Sequence, residues 1–470
     1  MAESTCYTLL LFYYAMRPRY AAALRKEIGS MTNVLLAAHP TVGHTQALRA
    51  IGRHLVADGH SVALATVSSP LPGASLWPAP VQVSIGLAQQ LAQDGIQLAP
   101  LDFSPRMLWY ALQLQRRYGM GELSTLMQLY TAGIERHAMN IAIHAVHLSV
   151  DIVVGDYLMP AAMIGSQIAH VPYVALYHAA LPFPQSDESP LSYMLAGLPR
   201  ESAAWRRQAQ RLQEMSDHFD RTVRSASRNV GMRMEGGGLL LHPISDTLNI
   251  YTTAPEIEPG MAEMRGPVQM VGPCFPDPAQ ADYAHPALNL PQLGLPKVYA
   301  ALGSLAQHAP QAAAQIMQAL AQLEVQAVVS AGGSSAALQR WQSDRVAIFP
   351  HVPQAALMQQ VDAVICTGGN STVQETLAAG RPMMVIPSSG AQVVNGQRVE
   401  QLGVGVACEL PGLSVERVGQ AMRSVLSAEQ AAQARALRAR LARYGGPRAA
   451  ADAIVAASQP WANAVGSFAP

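Results

Sequence analysis

With 470 residues, the chain is too long for a single hydrophobic core and, at a loose ~150 residues per domain, has room for two or three. Half of its residues are hydrophobic and 13% are charged, with 31 basic side chains against 31 acidic ones. Large cores are therefore expected, and the electrostatic footprint of a nucleic-acid binder is missing. The four cysteines (Cys6, Cys274, Cys366, Cys408) lie far apart without metal-ligand spacing and read as reduced structural thiols, which suits a cytoplasmic protein.

No apolar run approaches the ~20 residues of a spanning helix. The nearest, Cys6 to Met16, is too short, follows Glu3 and lacks a small-residue cleavage site, so it makes a poor signal peptide. Residues 1–30 read as an N-terminal extension; peripheral membrane contact through an amphipathic segment carrying Arg17, Arg19, Arg25 and Lys26 is the alternative.

From Thr32 the pattern becomes regular. Thr32 to Ala38 fits a buried parallel strand, His39 to His44 a loop, Gln46 to Asp58 a helix and Ser61 to Val67 a second strand, which together open a doubly wound α/β sheet. Ser104 to Leu148 is helical. Asp151 to Gly155 is a strand ending at Asp156, followed by a helix from Ala161 to His170 and a strand from Pro172 to Tyr177. Pro182 to Pro199 is a Pro/Ser-rich loop, Glu201 to Gly231 an Arg-rich helix with a solvated face, and Leu248 to Thr252 and Val268 to Gly272 are the last strands of a first domain, 31–274. The five prolines between Phe275 and Pro296 mark a linker, 275–296. A second βα series starts at Lys297, passes through Gly303-Ser304 and occupies 297–455, with a tail at 456–470.

Within the second domain, Val346 to Leu410 alternates short apolar runs with helical patterns. At its centre Thr367-Gly368-Gly369-Asn370-Ser371-Thr372 follows a buried strand and opens a helix, so free backbone N–H groups and hydroxyls gather at the positive end of a helix dipole. Such a corner suits a phosphate. In the first domain His44 stands where open α/β sheets place ligands, after the first strand, and an imidazole titrates near neutrality; His39, His60 and His178 compete with it.

The stretch resembles the nucleotide-sugar signature of UDP-glycosyltransferase-like enzymes, the GT-B family that includes plant secondary-metabolite, macrolide and carotenoid glycosyltransferases. Val352-Pro353-Gln354, Gly368-Gly369, Thr372, Glu375, Gly380, Pro382-Met383, Pro387, Gln392 and Asn395 stand at the family's spacings, and Gly43-His44 with Gly59-His60-Ser61-Val62 resembles its N-terminal pattern. The resemblance implies two Rossmann-like domains with parallel sheets facing a central cleft, with the tail returning to the first domain. It implies an inverting O-glycosyltransferase that moves a sugar from a UDP- or dTDP-linked donor to a small hydrophobic acceptor, with no cofactor and no metal. His44 would be the base and Asp156 its orienter, with Asp151 as runner-up. Thr367, Gly368, Gly369, Ser371 and Thr372 would receive the diphosphate with Ser304 facing it, Gly43 would line the nucleotide-sugar site, Glu375 would take the ribose hydroxyls, and His351, Val352 and Gln354 the base. Gln392 would meet the sugar.

Three positions depart from the family pattern. Thr367 replaces a His that contacts the diphosphate, Ala391 replaces an Asp that accepts from sugar hydroxyls, and His351 replaces a larger aromatic. A site so altered should favour a deoxysugar or amino sugar over glucose. The alternatives are N-acetylglucosaminyl or lipid-linked transfer, and a non-catalytic activator or regulator of the same fold.

Overall fold

The computed structural model describes residues 31–466 except residue 41, segments 68–78, 103–104, 115–119 and 179–197, residue 200, segments 235–238, 241–243, 259–266 and 279–283, and residue 389. The N-terminal extension 1–30 and most of the Pro/Ser-rich loop 182–199 thus lie outside the described residues.

The apolar runs become strands, and those in the middle of each sheet are buried on both faces, as a parallel sheet covered by helices demands. The first sheet contains β1 (Asn33–Ala37), β2 (Ser61–Val67), β3 (Gln97–Leu101), β4 (Ile152–Asp156), β5 (Tyr173–Tyr177), β6 (Leu248–Tyr251) and β7 (Val268–Met270). Their spatial order is β3-β2-β1-β4-β5-β6-β7 and every pairing is parallel. On β1, Leu35 and Ala37 enter one core while Val34 and Leu36 enter the other. The second sheet, β10-β9-β8-β11-β12-β13, repeats the plan with β8 (Lys297–Ala301), β9 (Gln326–Ser330), β10 (Val346–Phe349), β11 (Ala363–Cys366), β12 (Met383–Val385) and β13 (Gly405–Ala407). In both sheets the order reverses beside the first strand, between β1 and β4 and between β8 and β11, which is where such sheets open a crevice for ligands.

Four observations differ from the sequence reading. The helix after β1 begins at Val42, a full turn before Gln46, so His44 sits in its first turn. The helix Ala79–Gln93 and strand β3 were not anticipated: β3 contains Pro100, which weakens a strand pattern and is tolerated because β3 lies at the sheet edge. The proline-rich connection is not detached, since Ala287 and Leu288 are buried in the second domain's core. Finally, the closing helix Gly446–Gly466 starts before the tail; its packing on the Val42–Ala57 helix, with Ala450, Ala451 and Ile454 in the first domain's core, agrees with the expected return of the chain's end to that domain. Among the described residues no helix is long and apolar enough to cross a membrane.

Candidate active site

Because β1 and β4 are neighbours in register Ala37↔Gly155, the residues just past their ends converge. Asp156, the last residue of β4, is fully buried. Its Oδ2 accepts a hydrogen bond from His44 Nδ1 and lies 3.2 Å from His178 Nε2, while its Oδ1 accepts from the Leu158 main-chain N–H at 2.9 Å. Burial alone would raise the carboxyl's pKa, but the charges of His44 and His178 and their hydrogen bonds hold it well below the usual carboxylate range.

With Nδ1–H given to Asp156, the other ring nitrogen of His44 carries the lone pair. Tyr130, from the helix Met120–Thr131, places its hydroxyl 2.9 Å from that Nε2. His39 stacks on Tyr130 with centroids 4.3 Å apart and donates from Nε2 to the Leu158 carbonyl at 3.1 Å. Burial, then the neighbouring His44, push its pKa down to about 3, so it is a neutral packing group beside His44. His178 shares the cluster, whereas His60 and the alternative carboxylate Asp151 lie elsewhere. His60 accepts from the Thr32 N–H and Asp151 from the Asn33 N–H, both at the opposite, N-terminal edge of the sheet. That removes Asp151 as runner-up. His44, Asp156 and His178 bring two imidazole nitrogens and a carboxylate oxygen within 4.8 Å of one another, enough to supply ligands to a cation. Both rings instead turn toward one shared oxygen, the arrangement of a hydrogen-bonded cluster.

Across the cleft, β11 runs into Thr367-Gly368-Gly369 and the helix Asn370–Ala379. Gly368 has φ +84°, and a Cβ there would meet Val385 at 2.8 Å and the Gln392 carbonyl at 3.0 Å, so glycine is required for the turn. Asn395 fixes it by donating to the Gly368 carbonyl at 2.8 Å. Gly369 caps the helix without a side-chain acceptor, leaving first-turn N–H groups for an anion. Thr367, Ser371 and Thr372 are half-buried around this corner.

Glu375, one turn into the helix, is buried, and each of its oxygens accepts from one amide, Gln46 on one side and Gln354 on the other. Burial raises its pKa against the pull of those two hydrogen bonds. Gln354 in turn accepts from Tyr299 Oη at 2.9 Å. His351 is exposed and Val352 half-buried just before the Gln354–Gln360 helix. Gln392 turns its side-chain oxygen inward, accepting from the N–H and hydroxyl of Ser388 at 2.8 Å. Ser304 lies in the helix Gly303–His308 after β8; its side chain and that of Ala391 lie outside the described residues.

The two halves touch at this site. Asn370 Nδ2 donates to the His178 carbonyl at 2.9 Å, Gln46 reaches Glu375, and a Cβ on Gly43 would stand 3.8 Å from Ser371 Oγ. The sequence reading missed Gln46 and Tyr130 and treated His178 only as a rival base. Gln46 follows His44 by two residues, a weak signal; Tyr130 had none.

Residues 314–456 match the model of the erythromycin biosynthesis protein CIII-like C-terminal domain. The chain is 27% identical over 314 residues to 4'-demethylrebeccamycin synthase of Lentzea aerocolonigenes, covering 65% of this chain and 72% of that protein. Of two other curated glycosyltransferases that it matches, it spans only 32% and 34% of the length. Among solved structures, the glycotransferase of kitacinnamycin superposes with TM-score 0.65 at 19% identity, covering 91% of this chain and 99% of that one. The glycosyltransferase VinC in complex with dTDP superposes with TM-score 0.64 at 16% identity, covering 91% and 100%. Those two likenesses show the shared two-sheet fold.

Proposed function

For a glycosyltransferase of the GT-B fold that belongs with the UDP-glycosyltransferase-like enzymes and carries the erythromycin CIII-like C-terminal domain, we propose inverting O-transfer of a sugar from a UDP- or dTDP-linked donor to a small hydrophobic acceptor. The observation that carries the reading is the His44–Asp156 pair at one switch point, facing the Gly368-Gly369 helix start at the other.

Asp156 holds Nδ1–H, which fixes the tautomer and stabilises the imidazolium once formed. His44 Nε2 takes the acceptor's hydroxyl proton, and the oxygen forms its bond to the anomeric carbon as the bond to the diphosphate oxygen breaks. The leaving electron pair stays on the diphosphate. There the N–H groups of the Asn370–Ala379 helix and the hydroxyls of Thr367, Ser371 and Thr372 meet the charge, so the site handles it without calling on a metal. One displacement inverts the anomeric centre. Tyr130, now on His44 Nε2, occupies the place of the acceptor hydroxyl and must yield it or pass the proton. Glu375 would take the ribose hydroxyls. That VinC is solved in complex with dTDP, and that the relative is named for making 4'-demethylrebeccamycin, support a dTDP-linked donor and a small secondary-metabolite acceptor.

Replacing His44 by Ala should lower transfer by at least ~1,000-fold while leaving the thermal shift given by UDP or dTDP unchanged. Full activity in that variant would overturn the mechanism. The same shift assay over UDP- and dTDP-sugars ranks the donors, and a deoxysugar or amino sugar above glucose is the expected order.

A further inference from the structure

We infer that His178 is a positioning residue of the transfer: its Nε2–H holds Asp156 in line with His44, and its main chain ties that pair to the donor-side helix through Asn370. The inference rests on the reading of His44 as base.

His178 stands one residue past β5, whose register with β4 places Leu176 opposite Asp156. Its side chain is only 8% exposed. Its Nε2 is 3.2 Å from Asp156 Oδ2 and 3.3 Å from His44 Nδ1, and the two imidazoles meet edge to face with centroids 4.6 Å apart. Two ring nitrogens beside one carboxylate oxygen are compatible when each turns an N–H toward it, because the oxygen accepts both and the nitrogens do not bond each other. That placement makes His178 the Nε2–H tautomer and His44 the Nδ1–H tautomer, which leaves His44 Nε2 basic on the side of Tyr130. The Leu158 N–H holds the second carboxylate oxygen. Three donors therefore grip Asp156, and removing His178 frees the carboxylate to turn away from His44.

The second half of the inference lies in the backbone. The His178 carbonyl accepts from Asn370 Nδ2 at 2.9 Å, and Asn370 is the first residue of the helix whose N-terminus would receive the diphosphate. His178 is thus pinned from the donor side and grips Asp156 on the acceptor side. It touches neither reacting atom, so it acts through Asp156 and not on substrate.

The test uses the full chain with 15N-labelled histidine, whose long-range proton–nitrogen spectra report each tautomer without requiring turnover. The spectra should show His178 as Nε2–H and His44 as Nδ1–H, and His178→Leu should turn the His44 signal into a mixture of tautomers. With 2-naphthol as the probe acceptor and UDP- or dTDP-glucose as donor, the same variant should lose about tenfold in kcat at a donor KM within twofold, as expected for one charge-assisted hydrogen bond. His178→Gln carries an N–H to a similar position and should recover most of that loss; it also serves if the Leu variant fails to fold. A wild-type His178 bearing its proton on Nδ1, an unchanged kcat in His178→Leu, or a Gln variant as impaired as Leu would each overturn the inference. If His44→Ala still transfers, the base assignment fails on its own, and the tautomer spectra still decide whether His178 holds Asp156.

Discussion

His39 is buried against Tyr130, gives its one N–H to the Leu158 carbonyl and has its pKa pushed down to about 3. In the unfolded chain the same imidazole titrates near ~6.5, so between those two values the unfolded state binds a proton that the folded state refuses. A depressed folded value makes this stability full above about 6.5 and eroding as pH falls toward 3, by up to ~1.4 kcal/mol per pH unit for one such group. Buried His137, also lowered, adds to the loss as pH falls below the unfolded value. Asp156 acts further down: its depressed carboxyl contributes stability that is present above its unfolded value of ~3.9 and lost as pH drops toward the folded one. The melting temperature should therefore fall between pH 7 and 5. His39→Phe keeps the stack on Tyr130 and loses the donor to Leu158, so it should lower stability at pH 7 and flatten the decline below it. An unchanged slope in that variant would show that the proton is taken up elsewhere.

At the scale of elements, the corner proposed for the donor is a strand, a turn and a helix, and the turn depends on Gly368. Alanine there would have to hold φ +84° and push into Val385 and the Gln392 carbonyl, a strain of ~1–2 kcal/mol before the clash is counted. The corner would open, Asn395 would lose its carbonyl partner, and UDP or dTDP should bind at least ~10-fold more weakly by calorimetry, since a 1.4 kcal/mol loss is a factor of ten. Binding at the original strength would show that the loop does not touch the diphosphate. This corner was legible in the sequence because its signal is local: an apolar run, two glycines, then hydroxyls opening a helix. The parallel strands were legible for the same reason, as continuous runs of Val, Ile, Leu and Ala. What escaped depends on pairings between distant segments. Tyr130 reaches His44 from a helix 86 residues away, His178 joins Asp156 only because β4 and β5 are in register, and Gln46 finds its acceptor in the other domain. The early start of the Val42–Ala57 helix was obscured by Gly43, a poor helix residue.

Over the whole molecule, the two domains are held by further contacts besides those inside the cleft. The closing helix Gly446–Gly466 lies against the first domain, and the Arg398 guanidinium on the second domain pairs with both oxygens of buried Glu258 on the first. Inside the cleft, Gln46 and Asn370 make the contacts described above. If Glu375 is to receive ribose hydroxyls, it must release at least one of its two amides. Gln354 belongs to the same domain and is itself held by Tyr299, whereas Gln46 arrives from the other domain on the helix that carries His44. Gln46 is therefore the partner that yields, and donor binding works against one hydrogen bond to a charged group, ~1.5–3 kcal/mol if nothing replaced it. Removing that competitor should raise the fraction of molecules ready for donor. Gln46→Ala is expected to tighten UDP or dTDP binding by ~3–10-fold in calorimetry, with the Gly368 corner and the His44–Asp156 pair undisturbed. Weaker binding in Gln46→Ala would mean instead that Gln46 stays in place and shares the nucleotide with Glu375, so that the cleft closes over the donor without giving up its own clasp.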